Sequence, residues 1–149
     1  RRQRQMCIRD RGLRPVAAVA PGVAAATGLS LQQLTAALVG QLRPAAVVCV
    51  DSLCSAEGQR LGRTVQFSDS GLYPAQADHT RHLTRDTLGV PVVAAGIPTL
   101  MQAQEGADLV VTPRALDSVI AHGAALLAGS VNRALQPRLT VQQLCWLTG

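Results

Sequence analysis

The run Ala45–Val50 (AAVVCV), closed by Asp51, constrains this chain more than any other feature. Its six apolar residues are continuous and end in a β-branched stretch, without the alternation of a strand that has one wet face. That pattern predicts a strand covered on both faces, as at the centre of a parallel sheet. Apolar segments of similar kind recur at Pro15–Ala20 (PVAAVA), closed by Pro21-Gly22, and at Val90–Ala95 (VPVVAA), closed by Gly96-Ile97-Pro98. A shorter strand is predicted over Thr64–Phe67.

Helical signals lie between them. Ser30 begins a capping box with Gln33, in which the Ser hydroxyl satisfies an orphan amide and the Gln side chain returns the bond. Leu31, Leu34, Leu38 and Leu42 then mark one apolar helical face, and Pro44 stops it. Thr112-Pro113 reads as an N-cap followed by Pro at the first helical position. A long period follows through Leu116, Val119, Ile120, Leu126, Leu127, Val131 and Leu135. Gly123 and Gly129 weaken that helix and point to close packing against a neighbour. A last helix near Val141–Leu147 is expected to place Trp146 on the core. Alternating strands and helices predict an α/β fold, a three-layer domain with a mostly parallel central sheet.

Composition narrows the function classes. With 149 residues, of which 48% are hydrophobic and 15% charged, the chain has the size and apolar content of one folded domain. No apolar run reaches the roughly 18 residues of a membrane-spanning helix. Trp146, Tyr73 and Phe67 are the only aromatics, so single-strand nucleic-acid binding by base stacking is excluded. The formal net charge is +5, and residues 1–11 hold five arginines against Asp10, leaving the remainder almost neutral. The string RQRQMCIRDR resembles translated sequencing-adapter read-through, so residues 1–11 are set aside as non-structural and 12–149 are taken as a single α/β domain. Cys49, Cys54 and Cys145 have no C-x-x-C spacing, which argues against a disulfide framework.

Ligands of open α/β sheets bind beyond the carboxyl ends of strands. Asp51 is expected there, half-desolvated at the end of a buried strand, and Asp69 follows another strand in Ser68-Asp69-Ser70-Gly71. Two carboxylates sharing a proton can activate water against an amide carbonyl. The plainer alternative is that Asp51 caps a helix and Asp69 shapes a turn. Asp78, His79 and His82 offer D-H-x-x-H without a third metal ligand, and a solvated loop is the better account. Cys54 with His79 or His82 as base is a further alternative, although nothing near it predicts a depressed thiol pKa. The chain has no Lys, and its glycines form no phosphate-cradling loop.

Several blocks together resemble the spore germination protease family: Gly12–Leu29 (GLRPVAAVAPGVAAATGL), Val47–Leu53 (VVCVDSL), Thr64–Pro74 (TVQFSDSGLYP), Thr87–Leu100 (TLGVPVVAAGIPTL) and Asp108–Pro113 (DLVVTP). The resemblance implies an α/β fold similar to that of hydrogenase-maturation peptidases. It also implies an atypical aspartic endopeptidase with no obligatory metal and no cofactor, made as a zymogen and working as a homotetramer in the cytoplasm of the spore core or forespore. Its substrates would be the small acid-soluble spore proteins, cut after a Glu, with no direct nucleic-acid or membrane partner. One catalytic aspartate carries over onto Asp51, with Asp69 the weaker candidate.

Other family features have no counterpart here. The second catalytic aspartate and the pro-segment belong to a region that precedes Gly12 in the family. The chain as written is therefore expected to be inactive, since a lone Asp cannot supply both base and acid. Ala56 and Gln59 stand where the family has Arg and Glu, although Arg60 is kept. Tyr73–His79 replaces a Gly-rich family loop, and the stretch between Thr99 and Asp108 is short. A second class of function stays open, a non-catalytic relative that keeps the scaffold for oligomerisation or substrate holding.

Overall fold

A computed structural model describes residues 12–22, 28–73, 82–102 and 110–148. The fold is α/β. In chain order the elements are α1 (Leu31–Leu42), β1 (Val47–Ser55), a single 3-10 turn (Gly58–Arg60), β2 (Gln66–Ser68), α2 (Arg85–Leu88), β3 (Val92–Gln102), β4 (Val110–Val111), α3 (Leu116–Leu135) and α4 (Val141–Thr148). They group into two compact units, one drawn from Arg1–Ala20 and Ala124–Gly149 and the other from Pro21–Gly123.

The larger unit is built on β3. This strand pairs parallel with β1, antiparallel with β2 and antiparallel with β4. The sheet is thus mixed, where a mostly parallel one was expected. Apolar runs report burial and carry no information on strand direction. The seven-residue connection 103–109 is also too short for the crossover that a parallel β3–β4 pair would need.

Two rows of side chains define the faces of the sheet. Val47–Val92, Cys49–Ala94–Ser68 and Asp51–Gly96–Gln66 are cross-strand neighbours on one face. That face carries the core, where Cys49, Val92 and Ala94 cluster with Leu72, Leu83 and Leu88, edged by Leu31, Val47 and Val90. Val48–Val93 and Val50–Ala95–Phe67 lie on the other face, where Val50 is 57% and Phe67 63% exposed. The apolar run that ends at Asp51 is therefore covered on one face only. It also does not end there, because β1 continues through Ser55.

Gly96-Ile97-Pro98 does not close β3 either; the strand runs on to Gln102. Pro98 is fully buried inside it and has no N–H for the ladder. The register slips beside it, from Leu53↔Pro98 to Cys54↔Leu100, and Thr99 is the extra residue. The Pro98 carbonyl compensates by accepting from the Gly62 N–H at 2.6 Å, which ties the 3-10 turn region to the sheet.

The capping signals are realised closely. Ser30 and Gln33 form the reciprocal box on α1, Arg43 closes the helix in the left-handed region (φ 48°), and Pro44 follows. Thr84 and Thr87 form a second box on α2, with Gly89 as its left-handed cap. α3 begins at Leu116, three residues beyond the predicted Pro113, after a turn at Arg114-Ala115. Gly123 sits directly against Ile97 Cδ1, as close packing requires, whereas nothing lies within 4 Å of a Cβ built on Gly129.

In the smaller unit Pro15–Ala20 forms no strand. Val16 and Val19 are exposed, and with no ladder partner among the described residues a short apolar run gains nothing from extending. Arg14 and Gln136 are joined by two hydrogen bonds, Arg14 N–H to Gln136 Oε1 at 2.9 Å and Gln136 Nε2 to the Arg14 carbonyl at 2.8 Å. Arg133 donates to the Pro137 and Leu139 carbonyls, bracing the end of α3. Leu127 and Leu144 are buried, but Trp146 is 80% exposed, so it is not the core residue expected of α4. No described helix is long and apolar enough to cross a membrane.

Candidate functional site

Asp51 is the fifth residue of β1 and belongs by the pleat to the core-bearing face. Its carboxylate turns instead to its own backbone: Oδ1 accepts the Ser52 N–H at 2.8 Å. The side chain is exposed. The expected half-desolvated acid at the mouth of a buried strand is therefore not what the fold makes. The carboxylate meets water although its row lies on the core-bearing face, because its cross-strand neighbour Gly96 has no side chain to cover it. Nor does Asp51 cap a helix, since strand continues on both sides of it.

The closeness of β1 and β3 at this point depends on Gly96. A Cβ built there would collide with the Asp51 carbonyl oxygen and lie 2.7 Å from Leu53 Cγ. Beyond Gly96, in the same row, stands Gln66. Gly96 and Gln66 are neighbours of Asp51 that sequence reasoning did not select. The Gly was read as the end of a strand, and only the pairing register brings Gln66 alongside.

Asp69 is exposed and lies just after β2, beyond Ser68, which pairs with Ala94 on the opposite side of β3 from β1. Two inter-strand spacings, roughly 10 Å, separate β1 from β2 across β3. The register also places Asp69 towards the start of β3 while Asp51 stands beside Gly96. The fold does not bring the two acids together. The Ser-Asp-Ser-Gly turn is held by serines: the Ser68 and Ser70 hydroxyls share a 2.7 Å hydrogen bond, and the Ser70 N–H donates to Ser68 Oγ. Gly71, at φ 107°, lets the chain pass against the Leu83 carbonyl.

Asp78 and His79 lie outside the described residues. The His82 ring packs on Tyr73 with centroids 4.8 Å apart, and the His82 carbonyl accepts from Thr87 Oγ1. Its neighbour Leu83 joins the core beside Cys49 and Val92, five residues along β1 from Cys54, a separation of about 16 Å at strand rise. The arrangement thus sets His82 apart from Cys54 as a base. Cys54 is exposed, while Cys49 is buried. Burial, and then the charge of Asp51, push the Cys49 thiol above its ordinary value of 9.0 and keep it protonated and unreactive. After the turn, Arg60 pairs with Glu57 at 3.0 Å on the surface, a contact of little energetic weight.

The model of the family described as germination protease matches residues 3–105. The germination protease of Clostridium perfringens is 29% identical over 185 aligned residues, which cover 92% of this chain and 57% of the relative. That of Halalkalibacterium halodurans is 37% identical over 113, covering 74% of this chain and 29% of the relative. That of Bacillus subtilis is 38% identical over 94, covering 62% and 26%. The chain spans between about a quarter and little more than half the length of the curated relatives it matches. A family match that takes in most of the chain, including Asp51, Asp69 and the whole of β3, shows that the chain belongs to the germination protease family.

Proposed function

We propose that this chain is part of an endopeptidase that opens the degradation of small acid-soluble spore proteins during germination, with Asp51 assisting the attack of water on the peptide bond. The observation that carries the reading is an exposed carboxylate held at a fixed point of β1 by the Ser52 N–H, within a chain of this family. An ionised carboxylate so placed takes a proton from water as water adds to the carbonyl carbon. The leaving nitrogen must then receive a proton, which calls for a second group in the acid form. Asp69 stands across β3 and does not serve, and the second carboxyl is assigned, as the family resemblance implies, to the segment that precedes the Gly12–Leu29 block in the relatives. On this reading the 149 residues alone do not cleave. The homotetrameric, zymogen-regulated, aspartic character and the spore-core location belong to the same proposal.

The test uses the protein at the full length of its relatives, with an intact small acid-soluble spore protein as substrate. Cleavage is expected on the carboxyl side of Glu. Asp51→Asn should lower it by roughly 10²–10⁴-fold, the usual worth of an acid-base group. Thermal unfolding should not move, because the Asn oxygen can still accept from Ser52. Cleavage that survives the substitution overturns the role of Asp51 and leaves a non-catalytic scaffold as the better account.

A further inference from the structure

We propose that Gln66 is a further catalytic residue of the Asp51 site, its side-chain amide donating to the carbonyl oxygen of the bond under attack. The inference rests on the peptidase reading of Asp51 for its reaction and on the pairing register for its geometry. Asp51 of β1 pairs with Gly96 of β3, and Gly96 pairs with Gln66 of β2, so the three residues form one row on one face of the sheet. The middle place of this row carries no side chain. In the neighbouring rows it is filled, by Ala94 and by Pro98.

Leu53 lines the space over Gly96. Its Cγ lies 2.7 Å and its Cδ1 3.0 Å from where a Gly96 Cβ would stand, so it leans from the next row over the glycine. The row thus has an apolar floor between an acid and an amide, and a hydrogen bond made over such a floor is stronger than one in water. Asp51 and Gln66 are rooted two inter-strand spacings apart, about 10 Å. That is too far to share a proton, but it suits a substrate that bridges them. A carboxylate oxygen, a water, a carbonyl carbon, its oxygen and an amide nitrogen follow one another at about 3 Å, the C=O bond excepted, and bent at the carbonyl they span roughly 7–8 Å. Asp69, three residues further along, is out of the row.

The Ser52 N–H holds Asp51 Oδ1 at 2.8 Å, which assigns Oδ2 to the proton of the water. As the water oxygen bonds to the carbonyl carbon, the π pair of the C=O bond moves onto the carbonyl oxygen, and Gln66 Nε2–H donates to the charge that grows there. When the C–N bond breaks, that pair returns to the C=O bond and the leaving nitrogen takes its proton from the second carboxyl. Gln66 ends the cycle with the protons it began with. A thioether of similar length has no donor to offer, and a carboxylate repels the growing charge.

The protein at the full length of its relatives is assayed on a peptide that spans one cleaved bond after Glu, and on the same peptide with a thioamide at that bond. Gln66→Met should lower kcat about 10²–10³-fold with KM within about threefold, the pattern of a donor that acts in the transition state. Gln66→Glu should lower kcat at least as far, and it decides the matter if Gln66→Met fails to fold by circular dichroism. Sulfur accepts hydrogen bonds poorly, so replacing the amide by the thioamide should cost the unmodified protein about tenfold more than it costs either variant. An unchanged kcat overturns the role of Gln66. So does a fall in kcat with the same thioamide ratio in variant and unmodified protein, which marks a structural residue. Full-rate Gln66→Met beside a dead Asp51→Asn removes this proposal and leaves the peptidase reading standing. Cleavage indifferent to Asp51→Asn removes both.

Discussion

Two residues beside Asp51 set what can be changed there. Gly96 is required by the approach of β1 to β3, and Gly96→Ala should destabilise the fold by about 1–3 kcal/mol as the Asp51 carbonyl and Leu53 are pushed away. Urea unfolding of the two proteins measures it, and an unchanged midpoint refutes the tight packing of the strands. Cys49 makes a different prediction. Its thiol is raised by burial and by Asp51, so the folded state keeps a proton that the unfolded state releases near pH 9. Fewer protons are then bound on unfolding, and stability present at neutral pH is lost as the solution rises from about 9 through the higher folded value. Cys49→Ala should flatten that alkaline decline. At pH 8, a maleimide should label Cys54 and Cys145 well before Cys49. Asp51 itself was legible as a residue to single out, and its surroundings were not. Burial of a strand depends on what covers each face, and the run AAVVCV reads the same whether one face is covered or two.

Secondary elements were most readable where the signal is local. Ser30 and Gln33 lie three residues apart and make their bonds to each other, so the capping box needed nothing from the rest of the fold. α1 buries no residue completely, which leaves its cap a large share of its stability. Ser30→Ala should cost about 1 kcal/mol, seen as a fall of roughly 2–4 °C in thermal midpoint. Glycines in α3 divide by what they face. Gly129→Ala meets open space and should gain about 0.5–1 kcal/mol from helix propensity, whereas Gly123→Ala must displace Ile97 and should gain nothing. Equal effects at the two positions would remove the packing argument for Gly123. Strand ends were less legible because Gly and Pro punctuate most sequences. In β3 the partners β1 and β2 carry the strand through Gly96 and β1 alone carries it past Pro98, with one slipped residue, Thr99, after Leu53↔Pro98 as the consequence. Pro15–Ala20 shows the converse, an apolar run that finds no ladder partner among the described residues and forms no strand.

Across the larger unit, the unequal cover of its sheet is the property that individual residues do not reveal. One face holds Cys49, Val92 and Ala94 in the core, while on the other Val48, Val50 and Phe67 stay open to water with part of Val93, although Ala95 between them is buried and Ile97 packs against Gly123. An aromatic in a strand pattern is ordinarily counted as core, and Phe67 contradicts that because its row lies on the face away from Leu72, Leu83 and Leu88. Removing apolar surface that is already wet should cost little stability. Phe67→Thr and Val48→Thr, singly and together, should therefore leave thermal unfolding within about 0.5 kcal/mol of the unmodified chain. The same changes should reduce binding of an apolar-patch dye such as ANS, the double substitution most, since contiguous apolar surface rather than scattered residues creates such a site. A large loss of stability would show that Phe67 is packed rather than open. Undiminished dye binding would place the accessible apolar surface elsewhere, on residues such as Trp146 or Leu126 of the smaller unit.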